Sequence, residues 1–130
     1  MIYVSYFGNR DLRSIPDEYK VCIALRNPTT TIPSCKLGLI PPAELIYGYK
    51  YGSITEEEYI EKYLDNNLYK INPMDIKKAY DGKILLCYCS GFCHRNVVEG
   101  WLSYNGVECK EFNSDEDLDI ILGKQKNDGM

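Results

Sequence analysis

The sequence predicts a small three-layer α/β domain with a mostly parallel sheet and helices on both faces. An apolar run from Ile84 to Cys89 reads as a buried strand and is followed by a short polar loop. Val97, Val98, Trp101 and Leu102 then recur at helical spacing, before Asn105-Gly106 opens the strand-like VECKEF at 107–112. That path is a βαβ crossover. The 84–88 and 107–112 segments should therefore run parallel, as neighbours or flanking one other strand, with the 95–104 helix packed across them. Two further β-former runs, IYVSY at 2–6 and VCIAL at 21–25, supply more strands. A length of 130 residues fits one domain over residues 1–123, with a core that buries roughly 65% of the unfolded surface.

Taken in order, the first strand ends at Gly8-Asn9, and Arg10 to Lys20, interrupted by Pro16, has room for a short helical turn. The 21–25 strand empties into Arg26-Asn27-Pro28 and three threonines. Residues 28–42 hold Pro28, Pro33, Pro41 and Pro42 with Gly38 between them and form no single regular element. Pro42 suits the first turn of a helix through Glu44, Leu45, Ile46 and Tyr49 that Gly52 ends. Thr55 and Glu58 have capping-box spacing, flanked by Ile54 and Tyr59 as a hydrophobic staple. Tyr59, Ile60, Tyr63 and Leu64 give that helix its apolar stripe, and Glu56, Glu57 and Glu58 are helix-start and solubility chemistry. Asn72-Pro73 opens another helix, with Ile76, Ala79 and Tyr80 facing inward and Asp81-Gly82 stopping it. Ser114 and Asp117 repeat the capping-box spacing ahead of a last helix that Gly123 ends, and KQKNDGM at 124–130 reads as a flexible tail.

Composition narrows the function classes. A charged fraction of 26% and a hydrophobic fraction of 45% are those of a soluble protein, and no apolar run reaches bilayer-spanning length. Met1 runs straight into IYVSY without a basic segment and long apolar core, so a cytoplasmic location is expected and the six cysteines should be free thiols. The net charge of −4 lies mainly in the second half: residues 51–130 carry nine Lys or Arg against fifteen Asp or Glu. This disfavours extended nucleic-acid binding, leaving a small anionic or nucleotide-like ligand as the expected partner. The twelve tyrosines are expected at core edges, where the ring is buried and the hydroxyl finds water or a partner.

The candidate chemistry sits between the 84–89 strand and the following helix. Cys89, Cys93, His94 and Arg95 occupy the loop that feeds the helix start, where unpaired N–H groups and the helix dipole favour a thiolate or a bound anion. In a parallel sheet Arg26 would meet this loop at the carboxyl ends of the strands. The leading assignment makes Cys89 or Cys93 a reactive thiol with a pKa below about 7.5. His94 is its proton-transfer or orienting group, and Arg26, Asn27, Arg95 and Asn96 hold the anion. No cofactor or metal is assigned. Cys22, Cys87 and Cys109 read as small core residues.

Two alternatives stay open. Cys87, Cys89, Cys93 and His94 are suitable zinc ligand types, although Cys87 and Cys89 lack the spacing of a tight knuckle. A non-catalytic module for a nucleotide or nucleic-acid end would use the same arginines. Cys89 to Arg95 is a C-x5-R arrangement and resembles the anion-binding loop of cysteine phosphatases and arsenate reductases, with Tyr88 where many of those phosphatases have histidine. That resemblance implies Cys89 as nucleophile and Arg95 as a two-pronged clamp. LLCYCSGFCHR at 85–95, PPAELIYGYKYGSITEEEYIEKYL at 41–64 and the early strand ending at Arg26 resemble domain-of-unknown-function family 488. Ala24-Leu25-Arg26 stands where that family commonly has Asp-Val-Arg. This second resemblance implies no established reaction.

Overall fold

The computed structural model describes residues 1–89 and 92–123; the expected tail at 124–130 lies outside the described residues. Strands β1 (Ile2–Tyr6), β2 (Lys20–Cys22), β3 (Ile84–Cys87) and β4 (Cys109–Glu111) form one sheet in the order β2-β3-β1-β4, and every pairing is parallel. β3 and β4 thus flank β1, joined by the helix that the 84–112 pattern requires. Helices α1 (Ala43–Lys50), α2 (Glu56–Asn66), α3 (Pro73–Tyr80), α4 (His94–Tyr104) and α5 (Ser114–Leu122) complete the order, with 3-10 turns at Arg10–Ser14, Asp17–Tyr19 and Leu68–Lys70.

The two-residue period of the strands builds two apolar layers. Ile2, Val4, Val21, Leu85 and Cys87 face one side, where they meet Leu45, Tyr59, Tyr63, Ile76, Val98, Trp101 and Leu102 from α1 to α4. Tyr3, Cys22, Ile84 and Leu86 face the other, under Leu12, Ile15, Ile32, Phe112 and Ile121. Helices therefore cover both faces of the sheet.

Local start signals account for most of the helix boundaries. Thr55 Oγ1 accepts from Glu58 N–H and Glu58 Oε1 accepts from Thr55 N–H, both at 3.1 Å, which closes the capping box of α2. Asn72 Oδ1 accepts from Met74 N–H at 3.0 Å, with Pro73 as the first residue of α3. In that helix Ile76 is buried but Ala79 is exposed, against expectation, because α3 is short and turns only one edge to the core. The cap of α5 is Asn113 rather than Ser114: its side chain accepts from Asp115 N–H at 2.9 Å, while Asp117 Oδ2 accepts from Asn113 N–H at 2.8 Å. A carboxylate four residues on reaches the cap as well as one three residues on. Gly123, at φ 72°, ends the helix in the left-handed region that suits glycine.

The second strand is shorter than the VCIAL run. After Cys22 the chain bends, yet Ile23 N–H still donates to Leu86 O at 2.9 Å. Cys22 exchanges backbone hydrogen bonds with the proline-rich segment, donating to Pro33 O and accepting from Cys35 N–H, each at 2.8 Å. Irregular chain thus covers the open sheet edge that a longer strand would expose. No helix among the described residues is long and apolar enough to cross a membrane.

One consequence is measurable at high pH. Burial pushes the Cys109 thiol up to about 12 from 9.0, so the folded state retains a proton that the unfolded chain has released. Stability from this group is complete below pH 9 and declines as pH rises toward 12. Unfolding free energies from urea titration should fall across that window by up to about 1.4 kcal/mol per pH unit, and Cys109→Ala should flatten the slope.

Candidate functional site

The loops after β2 and β3 meet at the carboxyl edge of the sheet and enclose a cavity of about 560 Å³. Arg26, Cys89, Cys93 and His94 line it, as the topology requires of residues that follow parallel strands. α1 and α2 contribute Tyr47, Tyr49, Lys50 and Tyr59, and Tyr88 and Phe92 come from the loop after β3. The two loops are tied together where the Tyr88 hydroxyl donates to Arg26 O at 2.6 Å. Phe92 packs edge-on against Tyr49 and Tyr59, with centroids 5.7 Å and 6.0 Å away. The walls are aromatic, and the exposed cations Arg26 and Lys50 are near the rim.

Cys93 and His94 form a pair at the base of this cavity. His94 is 4% exposed and Cys93 7%. Cys93 Sγ lies 3.4 Å from His94 Nδ1, and His94 Nε2 lies 2.6 Å from Ile23 O. A carbonyl oxygen only accepts, so Nε2 carries a proton, and in the tautomer with its proton there Nδ1 presents a lone pair to the thiol. Tyr63 holds the imidazole edge-on at 5.8 Å, with its own hydroxyl donating to Leu39 O at 2.5 Å. Sequence adjacency does not reveal this pairing. It forms because Cys93 takes extended N-cap geometry while His94 begins α4.

Arg95 lies elsewhere than its expected role as a clamp requires. At 3% exposure it reaches the last residues of three strands, Tyr6, Cys87 and Glu111, and it is not part of the cavity lining. Its Nε donates to Glu111 Oε1 at 3.1 Å, Nη1 donates to Cys87 Sγ at 3.2 Å and to Cys89 O, and the guanidinium stands 5.4 Å from the Tyr6 ring centroid. Asn96 is a capping residue, accepting from Cys93 N–H at 3.0 Å. Asn27 organises its own loop: Nδ2 donates to Ile32 O at 2.6 Å, and Oδ1 accepts from Thr29 N–H at 2.9 Å. Arg26 alone of these four lines the cavity.

The thiol order also departs from expectation. Cys87, fully buried, is the thiol that is lowered: its side-chain hydrogen-bonding interaction with Cys93 comes first, and Arg95 adds a hydrogen bond and charge, against the opposing effect of burial. Cys93 is pushed up to about 11, first by that same hydrogen bond and then by burial, with His94 pulling the other way. Cys89 is exposed and raised, mainly by desolvation and then by Cys93. The two inner thiols are thus shifted in opposite directions, Cys87 down and Cys93 up. Strand alternation hid Cys87: it follows Leu85 on the face that α4 covers, and nothing local marks the cation eight residues on.

Among the described residues no group of three His, Cys, Asp or Glu side chains is arranged to hold a metal ion. His94 in particular has both nitrogens engaged, by Cys93 and by Ile23 O. Residues 90 and 91, whose backbone donors the C-x5-R resemblance would use, lie outside the described residues. The aromatic walls were within reach of the sequence only as an excess of tyrosine, and Lys50 carried no signal at all. No family model, curated protein or solved structure matches the chain.

Proposed function

We propose that this cavity takes a small anionic ligand with an aromatic ring, a nucleotide-like compound being the natural class, and that Cys93 acts on it as a nucleophile with His94 as its base. The observation that carries this reading is the 3.4 Å contact between Cys93 Sγ and His94 Nδ1 at the base of a cavity with tyrosine walls and two cations. A thiol held at about 11 keeps its proton at neutral pH and needs an adjacent base to react. In the step itself Cys93 Sγ bonds to the electrophilic centre, the leaving group departs with the bonding pair, and the thiol proton passes to Nδ1. Flat rings stack on the tyrosines while Arg26 and Lys50 meet the negative charge. The likeness of residues 41–64 and 85–95 to domain-of-unknown-function family 488 supports the same site, since both stretches contribute to it. A reducing, cytoplasmic setting suits its free thiols.

Iodoacetate tests the reading, because it is a small anionic electrophile whose reaction leaves a carboxymethyl group on sulfur and releases iodide. On reduced protein, peptide mapping should show a higher ratio of iodoacetate to iodoacetamide rates at Cys93 than at a free cysteine. Arg26→Ala and Lys50→Ala should each lower that ratio roughly fivefold. Phenyl phosphate should protect Cys93 better than inorganic phosphate does. Protection without the rate preference would assign the cavity to a binding module, and neither effect would remove the site altogether.

A further inference from the structure

Cys87 has no part in the step just described, yet it is firmly held. The fully buried sulfur accepts from Arg95 Nη1 at 3.2 Å, lies 3.9 Å from Cys89 O and belongs to the same packed core cluster as Cys93, whereas Cys93 also reaches the cavity. We propose that Cys87 is the resolving thiol of a thiol–disulfide exchange centred on Cys93, with a small organic disulfide as the oxidant. The inference takes from the proposed function only that Cys93 is the sulfur facing the cavity.

The chemistry balances in two displacements. Cys93 gives its proton to His94 Nδ1 and attacks one sulfur of the organic disulfide; that sulfur–sulfur bond breaks, and the departing thiolate takes the proton back as a free thiol. Cys87 then loses its proton and attacks Cys93 Sγ, the mixed disulfide breaks, and the second thiolate leaves and takes up that proton. Two protein thiols are oxidised to the Cys87–Cys93 disulfide while one external disulfide is reduced to two thiols, and an external dithiol reverses the sequence.

Position assigns the roles. Cys87 is sealed from external disulfides, so the first adduct must form on Cys93, and the guanidinium 3.2 Å from the inner sulfur favours its thiolate in the second attack. Cys89 also neighbours Cys93, but its exposed thiol is raised rather than lowered and it lacks the Arg95 side-chain contact that Cys87 has. An internal sulfur already in contact needs no diffusion to react.

Reduced full-length protein mixed with glutathione disulfide, acid-quenched over time and read by intact mass and peptide mapping, decides the matter. In the wild type a glutathione adduct on Cys93 should rise and then disappear as the Cys87–Cys93 disulfide forms. Cys87→Ser should prolong the adduct at least about tenfold; if that variant does not fold, the wild-type map alone is decisive. A lasting adduct in the wild type, or a disulfide mapped to Cys89–Cys93, overturns the inference. If iodoacetate still modifies Cys93 while glutathione disulfide does not, the exchange falls and the nucleophile stands. If neither reagent reaches Cys93, both readings fall.

Discussion

Arg95→Ala is expected to lower the stability of the fold by about 3 kcal/mol, the lower end of what breaking a buried ion pair costs. Two effects hold the figure there. Glu111 is 42% exposed and recovers water when its partner leaves, so that ion pair alone is worth little. Cys87 can hold its proton, so losing the guanidinium leaves no buried charge unpaired there. What remains is the loss of packing against Tyr6 and of the hydrogen bonds to Cys87 Sγ and Cys89 O, which tie α4 to β1 and β3. Arg95→Lys should rescue little, because one ammonium cannot serve groups spread around a planar guanidinium.

The pH dependence of Arg95→Ala has a definite sign. The Cys87 thiol is depressed below its ordinary value of 9.0 in the folded state, so its contribution to stability is present above pH 9 and is lost as pH falls through the folded value. The gap between wild type and Arg95→Ala should therefore be widest near pH 9 and narrow on acidification. Urea denaturation at several pH values measures it, with thiolate ultraviolet absorbance following Cys87. A clamp for external anions would give a variant of ordinary stability that merely binds ligand less well, and an unchanged urea midpoint would restore that role.

Elements were far more legible than roles. Alternation and helical spacing are local properties, so Ile2–Tyr6, the Thr55–Glu58 box and the helix after the cysteine loop could be read directly, and the parallel order of β3 and β4 followed from the short path between them. Residue chemistry depended on contacts that no local pattern encodes. Arg95 and Cys93 are both near a helix start, yet one reaches the last residues of three strands and the other a cavity, a difference decided by two residues of helical rotation. Cys87 is the core residue that the strand pattern predicts, but its partner arginine belongs to the next element and left no local mark. Asn27 looked like a ligand contact because turn-forming asparagines and binding asparagines carry the same side chain, and only its Thr29 and Ile32 partners separate the two. Arg26 was placed correctly because following a strand in a parallel sheet is a topological property.

The largest expected kinetic effect belongs to His94. Replacing it with glutamine should slow carboxymethylation of Cys93 by about 100-fold, the low end of what a positioned base contributes. Glutamine keeps a donor for Ile23 O and much of the ring's volume but offers no basic nitrogen, so the loss reports proton transfer rather than a collapsed pocket. His94→Ala should show the same kinetic loss together with lower stability, because it also removes the contact with Tyr63. A rival acceptor exists: the Cys87 side chain interacts with Cys93, and a thiolate can take a proton. Cys87→Ser separates the two. If His94 is the base, Cys87→Ser leaves the carboxymethylation rate within a few-fold of wild type, while His94→Gln brings the large loss. If instead Cys87→Ser brings the large loss and His94→Gln reacts normally, the inner sulfur is the base, and the imidazole only orients the thiol through its bond to Ile23.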